Sequence, residues 1–201
     1  MVSVLLKSVP IAISKPRGIA YNNKYQFIVD NITAKIYLFD KNGKLLKSFP
    51  VIGTALGDLT FNGKYLLSAD STAEKIYIQD IEGVLVKTIS VTGKSPTAFT
   101  AIGKNYLITD STANKVLLID SDGNELRRYN KITDTPRGME YDGRNVLYVD
   151  KIATTYMIIS QKAVKLKKVL TALQFSEGIA ADNKNIMITE AAGETLNYFS
   201  K

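Results

Sequence analysis

The fold class this 201-residue chain predicts is an all-β, five-bladed β-propeller of four-stranded antiparallel blades, and three observations carry that expectation. The first is a repeat. Asp30, Asp70, Asp110, Asp150 and Glu190 recur at intervals of 40 residues, and each opens a variant of one segment: DNITAKIYLFD, DSTAEKIYIQD, DSTANKVLLID, DKIATTYMIIS and EAAGETLNYFS. A fixed period of this length is the signature of stacked supersecondary units. The second is the strand pattern: short runs rich in Ile, Val, Leu, Tyr and Phe, separated by turn residues, with no 3.6-residue periodicity. The third is the way the ends complement one another. The fifth unit has no fourth strand, while residues 2–11 match residues 42–51 of the first unit.

Taken in order, each unit begins with an inner strand: PRGIAY at 16–21, LGDLTF at 56–61, PTAFTA at 96–101, PRGMEY at 136–141 and SEGIAA at 176–181. A two-residue turn follows, with Asn23, Gly63, Gly103, Gly143 or Asn183 at its second position. Gly and Asn tolerate positive φ, as a type I′ hairpin turn requires. The second strands read YQFIVD, YLLSAD, NYLITD, NVLYVD and NIMITE; after four-residue turns come KIYLF, KIYIQ, KVLLI, TYMII and TLNYF. Successive side chains of a strand point to opposite faces. Consecutive apolar residues such as Phe27-Ile28-Val29 therefore require a sheet buried on both faces, which suits blades packed around an axis.

The bend before the fourth strand carries Gly43, Gly83 and Gly123, but Ala163 in the fourth unit. The fourth strands are KLLKSF, VLVKTI, NELRRY and VKLKKV, and VSVLLKSVPI at the N-terminus supplies the fifth. The expected organisation is one propeller domain over 1–201, with residues 1–11 completing the blade formed by 176–201.

The order Pro-Arg-Gly-Ile-Ala, an apolar strand ending in Asp, then Lys-Ile-Tyr-Leu-Phe-Asp and a Gly turn resembles the NHL and YVTN-type propeller repeats across essentially the whole chain. That resemblance implies a protein- or ligand-binding module. Some relatives bind RNA on one face, and a few propellers are lyases or lactonases. The chain departs from the usual NHL pattern in having five units rather than six. It also lacks the His and acidic metal sites of the enzymatic relatives.

Composition narrows the chemistry. With 45% apolar and 22% charged residues, the chain is in the ordinary range for a soluble globular protein. It contains no Cys and no His, so thiol nucleophiles, His-based triads and His- or Cys-ligated zinc are excluded. No catalytic residue, cofactor or metal is expected. The opening MVSVLLKSVPIAIS is broken by Lys7 and Pro10 and matches the repeat, so it is not read as an export signal. An intracellular, monomeric protein with no membrane partner is expected.

The net charge of +7 is spread with the repeat. Lys7, Lys47, Lys87, Arg127 and Lys167 share one outer-strand position, where a cation guards an exposed edge. Lys24, Lys64, Lys104, Arg144 and Lys184 follow the first turn and leave nucleic-acid binding through a basic face as an alternative. The acidic ring from Asp30 to Glu190 is read as turn chemistry, because Asp before a turn accepts bonds from the amides that follow.

Function is sought where the repeat breaks. The heads of the inner strands carry Arg17, Gly57, Thr97, Arg137 and Glu177, followed by Gly18, Asp58, Ala98, Gly138 and Gly178. Arg17, Asp58, Thr97, Arg137 and Glu177 are the candidate ligand-binding set, a mixed-charge lining at the channel mouth. Blade four adds Lys162, Lys165, Lys167 and Lys168. The expected function is a non-enzymatic scaffold that recognises a protein or a small polar or anionic ligand there. A multivalent glycan-binding module is an alternative, weakened by the absence of Trp. An enzyme using Asp58, Glu140 or Glu177 is another, weakened by the absence of a partner base.

Overall fold

The computed structural model of the chain describes residues 4–54, 56–130, 136–150, 156–160 and 176–200. Every regular element among them is a β-strand. β1 (Leu5–Pro10) opens the chain; β2 (Pro16–Tyr21), β3 (Tyr25–Asp30), β4 (Lys35–Asp40) and β5 (Leu45–Pro50) form the first blade. β6 (Leu56–Phe61), β7 (Leu66–Asp70), β8 (Lys75–Gln79) and β9 (Leu85–Ser90) form the second. β10 (Pro96–Ile102), β11 (Asn105–Asp110), β12 (Lys115–Ile119) and β13 (Glu125–Asn130) form the third. β14 (Pro136–Tyr141), β15 (Asn145–Asp150) and β16 (Tyr156–Ser160) make a three-stranded sheet. β17 (Ser176–Ala181), β18 (Asn185–Glu190) and β19 (Thr195–Ser200) complete the set, and β1 pairs antiparallel with β19.

This corrects the expectation of five four-stranded blades. Among the described residues, four sheets have four strands and the sheet from Pro136 to Ser160 has three. The segment read as its fourth strand, from Val164, lies outside the described residues, as do Ala163 and the lysines at 162–168. In sequence this unit departs from the others at the bend before the outer strand. Gly43, Gly83 and Gly123 adopt φ of 85°, 92° and 91° before the outer strands β5, β9 and β13. A Cβ at that φ is strained, and the fourth unit has Ala there.

The apolar residues pack between sheets. One cluster joins Ile76 and Ile89 of the second blade to Phe99 and Ile108 of the third, and another joins Phe27 and Ile36 of the first blade to Leu59 of the second. Ile19 and Ile28 meet Met187 and Leu196 across the seam where the chain's two ends come together. The continuous burial of β3, β7, β11 and β15 follows, because each sheet has a neighbour on both faces.

The inner strands β2, β6, β10, β14 and β17 contact one another in ring order. At Gly178 the approach is so close that a Cβ would lie 2.5 Å from the Arg17 carbonyl oxygen and 2.8 Å from Gly18 Cα. That contact draws the heads of β2 and β17 together and sets the geometry described next.

The Asp ring takes the turn role expected of it. Asp30 accepts from Ile32 N–H at 2.8 Å, Asp70 from Thr72 and Ala73 N–H, and Asp110 from Thr112 and Ala113 N–H. Asp70 also accepts from Thr54 N–H at 2.7 Å, which ties the incoming connection to the blade. Asp30 and Lys35 are register partners, yet no ion pair joins them. The buried carboxylate is held by its turn, and Lys35 extends into solvent.

Candidate functional site

The heads of three inner strands bring Arg17 of β2, Arg137 of β14 and Glu177 of β17 together. Both arginines place Nε 3.7 Å from the same atom, Glu177 Oε2. At that separation the pairs are ionic rather than hydrogen-bonded. Glu177 Oε2 and Arg137 Nε have no hydrogen-bond partner. The Glu177 side chain is 4% exposed, whereas those of Arg17 and Arg137 are 21% and 24% exposed. The guanidinium groups are therefore the accessible part of the cluster, with the carboxylate buried beneath them.

The cluster carries two positive charges and one negative. Burial pulls the Arg17 guanidinium below its ordinary pKa, Glu177 pushes it back up, and repulsion from Arg137 lowers it again. Asn31, in the turn after β3, steadies Arg17. With its amide turned to satisfy both ends, Oδ1 accepts from Arg17 Nε at 3.0 Å and Nδ2 donates to the Leu56 carbonyl at 3.2 Å. Thr189 Oγ1 donates to the Arg17 carbonyl oxygen.

The other two candidates lie elsewhere. Asp58 is fully buried and faces inward from β6. It accepts from Leu59 N–H at 2.9 Å, from Phe99 N–H on β10 at 3.2 Å and from Met139 N–H on β14 at 2.9 Å. The side chain therefore braces three inner strands. Burial pushes its carboxyl well above the usual carboxylate range, the three N–H donors oppose this, and nearby Glu140 adds to the rise. Thr97 places its hydroxyl 2.9 Å from that of Thr109, next to the Ala98 amide. Glu140 is buried and accepts from Thr60 Oγ1 at 3.2 Å.

The inner-strand pattern located the three charged residues. It missed Asn31, whose counterparts Ser71 and Ser111 are too short to carry an amide to the neighbouring strand. It also missed Gln26 and Tyr198, which line a cavity of about 370 Å³ toward the far ends of the inner strands. The available signal was a polar residue at a position where other units are apolar. Among the described residues, no group of three acidic side chains is arranged to hold a metal ion, and no helix is long and apolar enough to cross a membrane.

No family model and no curated protein matches the sequence. Solved structures do match in shape. Glutaminyl cyclase of Myxococcus xanthus superposes with a TM-score of 0.80 at 11% identity, covering 98% of this chain and 95% of its own. Virginiamycin B lyase of Staphylococcus aureus gives 0.57 at 16% identity, covering 97% of this chain and 73% of that one. The WD40 propeller domain of Doa1 gives 0.58 at 14% identity, covering 91% and 62%. At these identities the likeness shows a β-propeller fold and no more.

Proposed function

We propose that this chain is a non-enzymatic propeller of the NHL/YVTN kind that binds a small anionic ligand at the channel mouth, between Arg17 and Arg137. The observation that carries the reading is the sharing of one buried carboxylate by two guanidinium groups that repel each other. An anion arriving from the channel relieves that repulsion and meets planar donors suited to carboxylate or phosphate. Asn31 holds one guanidinium in place, so less side-chain entropy is lost on binding. Two of the structural neighbours are enzymes by name, but at 11% and 16% identity that likeness carries no activity to this chain.

Nucleic-acid binding draws less support. Lys47 pairs with Glu82, Lys87 pairs with Asp122 at 3.0 Å, and Lys24 and Lys64 lie over the rings of Tyr25 and Tyr65. These four of the ten cations in the two repeat-related sets are thus engaged locally.

Titration with citrate and with inorganic phosphate, followed by calorimetry, tests the proposal. Saturable one-to-one binding is expected. Arg137→Gln should weaken it by about tenfold or more, the range of a charge-assisted hydrogen bond. Glu177→Gln should tighten it, because the mouth then carries two uncompensated cations. Equal affinity in wild type and Arg137→Gln would overturn the proposal.

A further inference from the structure

A second site lies at the seam between the first blade and the sheet completed by β1. A cavity of about 370 Å³ is walled there by Tyr21, Met187 and Tyr198, floored by Gln26, and flanked by Lys7 and Lys41. None of the mouth residues lines it.

Three departures from the repeat meet at this cavity. Gln26 stands where the other units have Leu66, Tyr106, Val146 and Ile186, and Tyr198 stands where they have Leu38, Ile78, Leu118 and Ile158. The two substituted side chains find each other, with Gln26 Nε2 donating to the Tyr198 hydroxyl. Gln26 is 1% exposed, and its Oε1 has no hydrogen-bond partner. A buried amide half-used in an apolar wall is destabilising unless something completes it. A purely structural role would be served by Leu, as at Leu66.

The third departure is in charge. In two neighbouring blades the outer-strand lysine pairs with an acidic residue on the next blade's turn: Lys47 with Glu82 and Lys87 with Asp122. At the seam the corresponding turn position is Asn42, and the residue before it is Lys41, where other units have Ile81 and Ser121. The inter-blade ion pair is thereby replaced by two cations. Lys7 lies over the Tyr198 ring at 4.1 Å, and neither lysine makes an ion pair with a described residue. Asp182, the acidic residue in the lining, is tied to its own turn by Lys184 N–H at 2.7 Å and Asn185 N–H at 2.6 Å.

We propose that this seam cavity binds a small planar organic acid. The ring body packs against Tyr21, Tyr198 and Met187, a donor on its edge completes Gln26, and its carboxylate or phosphate pairs with Lys7 and Lys41. Offset aromatic packing and cationic recognition of an acid group both follow from the side chains present. Burial pushes the Tyr198 hydroxyl up, against the hydrogen bond from Gln26, so it stays protonated near neutrality.

The test is titration of the whole protein with 4-hydroxybenzoate and, separately, 4-hydroxyphenyl phosphate, observed by saturation-transfer NMR and calorimetry. One saturable site is expected for at least one probe, and the stronger of the two identifies the acid group. Gln26→Leu and Lys41→Gln should each weaken it about tenfold or more. Gln26→Leu restores the residue found at Leu66, so its urea midpoint should equal or exceed that of wild type. Arg137→Gln should leave the titration unchanged, which separates this site from the channel mouth. Absence of saturable binding by both probes, undiminished binding in the Gln26→Leu/Lys41→Gln double variant, or loss of binding in Arg137→Gln would each overturn the proposal.

Discussion

Replacing Asp58 by Ala removes one acceptor from three buried amides on three inner strands: Leu59, Phe99 and Met139. A buried donor left without a partner costs about 1–3 kcal/mol, so three cost about 3–9 kcal/mol. Removing a buried carboxyl relieves some desolvation, and water can enter the space, so the expected loss is about 3–5 kcal/mol. In a urea titration with a slope of roughly 2 kcal/mol per molar, the midpoint falls by about 1.5–2.5 M. Asp58→Asn should lie between. Whichever way the amide turns, its NH2 faces either Leu59 N–H or the Phe99 and Met139 pair.

The pH dependence supplies a second reading from the same residue. The folded-state pKa of Asp58 is raised above its unfolded value by burial. The folded protein therefore holds this proton more tightly than the unfolded chain. The stability contribution of the group is fully present below the unfolded pKa and is lost as pH rises through the folded one. The stability difference between wild type and Asp58→Asn should accordingly shrink from acid toward neutral pH. A loss below about 1 kcal/mol in Asp58→Ala would refute the brace, and a difference that grows with pH would refute the upward shift of the carboxyl.

Other consequences are more local. Gly178→Ala sets a Cβ 2.5 Å from the Arg17 carbonyl oxygen, where backbone must move; a loss of about 1–3 kcal/mol and weaker citrate binding are expected in the same variant. Leu117→Ala, at a fully buried position between the second and third blades, should cost about 2–5 kcal/mol in chemical denaturation. Removing residues 1–10 strips β1 from β19 and leaves an open edge beside an apolar seam. The truncated chain should self-associate in light scattering, and a monomer as stable as the full chain would argue against the closing role of β1.

Much of this architecture is written in one dimension. The interval between Asp30, Asp70 and Asp110 gave the unit. Gly43, Gly83 and Gly123 marked the turns before the outer strands, because only positive φ fits there. The match of residues 2–11 to 42–51 foretold the pairing of β1 with β19. These features are local or periodic, and propensity and turn chemistry act over a few residues. The strand count of the fourth unit was not fixed in the same way. Its Ala163 departs from the turn rule, and repeat logic alone assigned it a fourth strand.

The candidate site divides along the same line. Sequence alone determined that Arg17, Arg137 and Glu177 head inner strands, since alignment within the repeat fixes their height in each sheet. Only the tertiary structure decided that two arginines share one carboxylate, and that Asp58 turns inward as a brace. The same holds at the seam, where Gln26 meets Tyr198, 172 residues away. Such contacts depend on which sheet neighbours which and on how closely Gly178 lets the strand heads approach. Those are distances between segments remote in sequence, and no local preference encodes them.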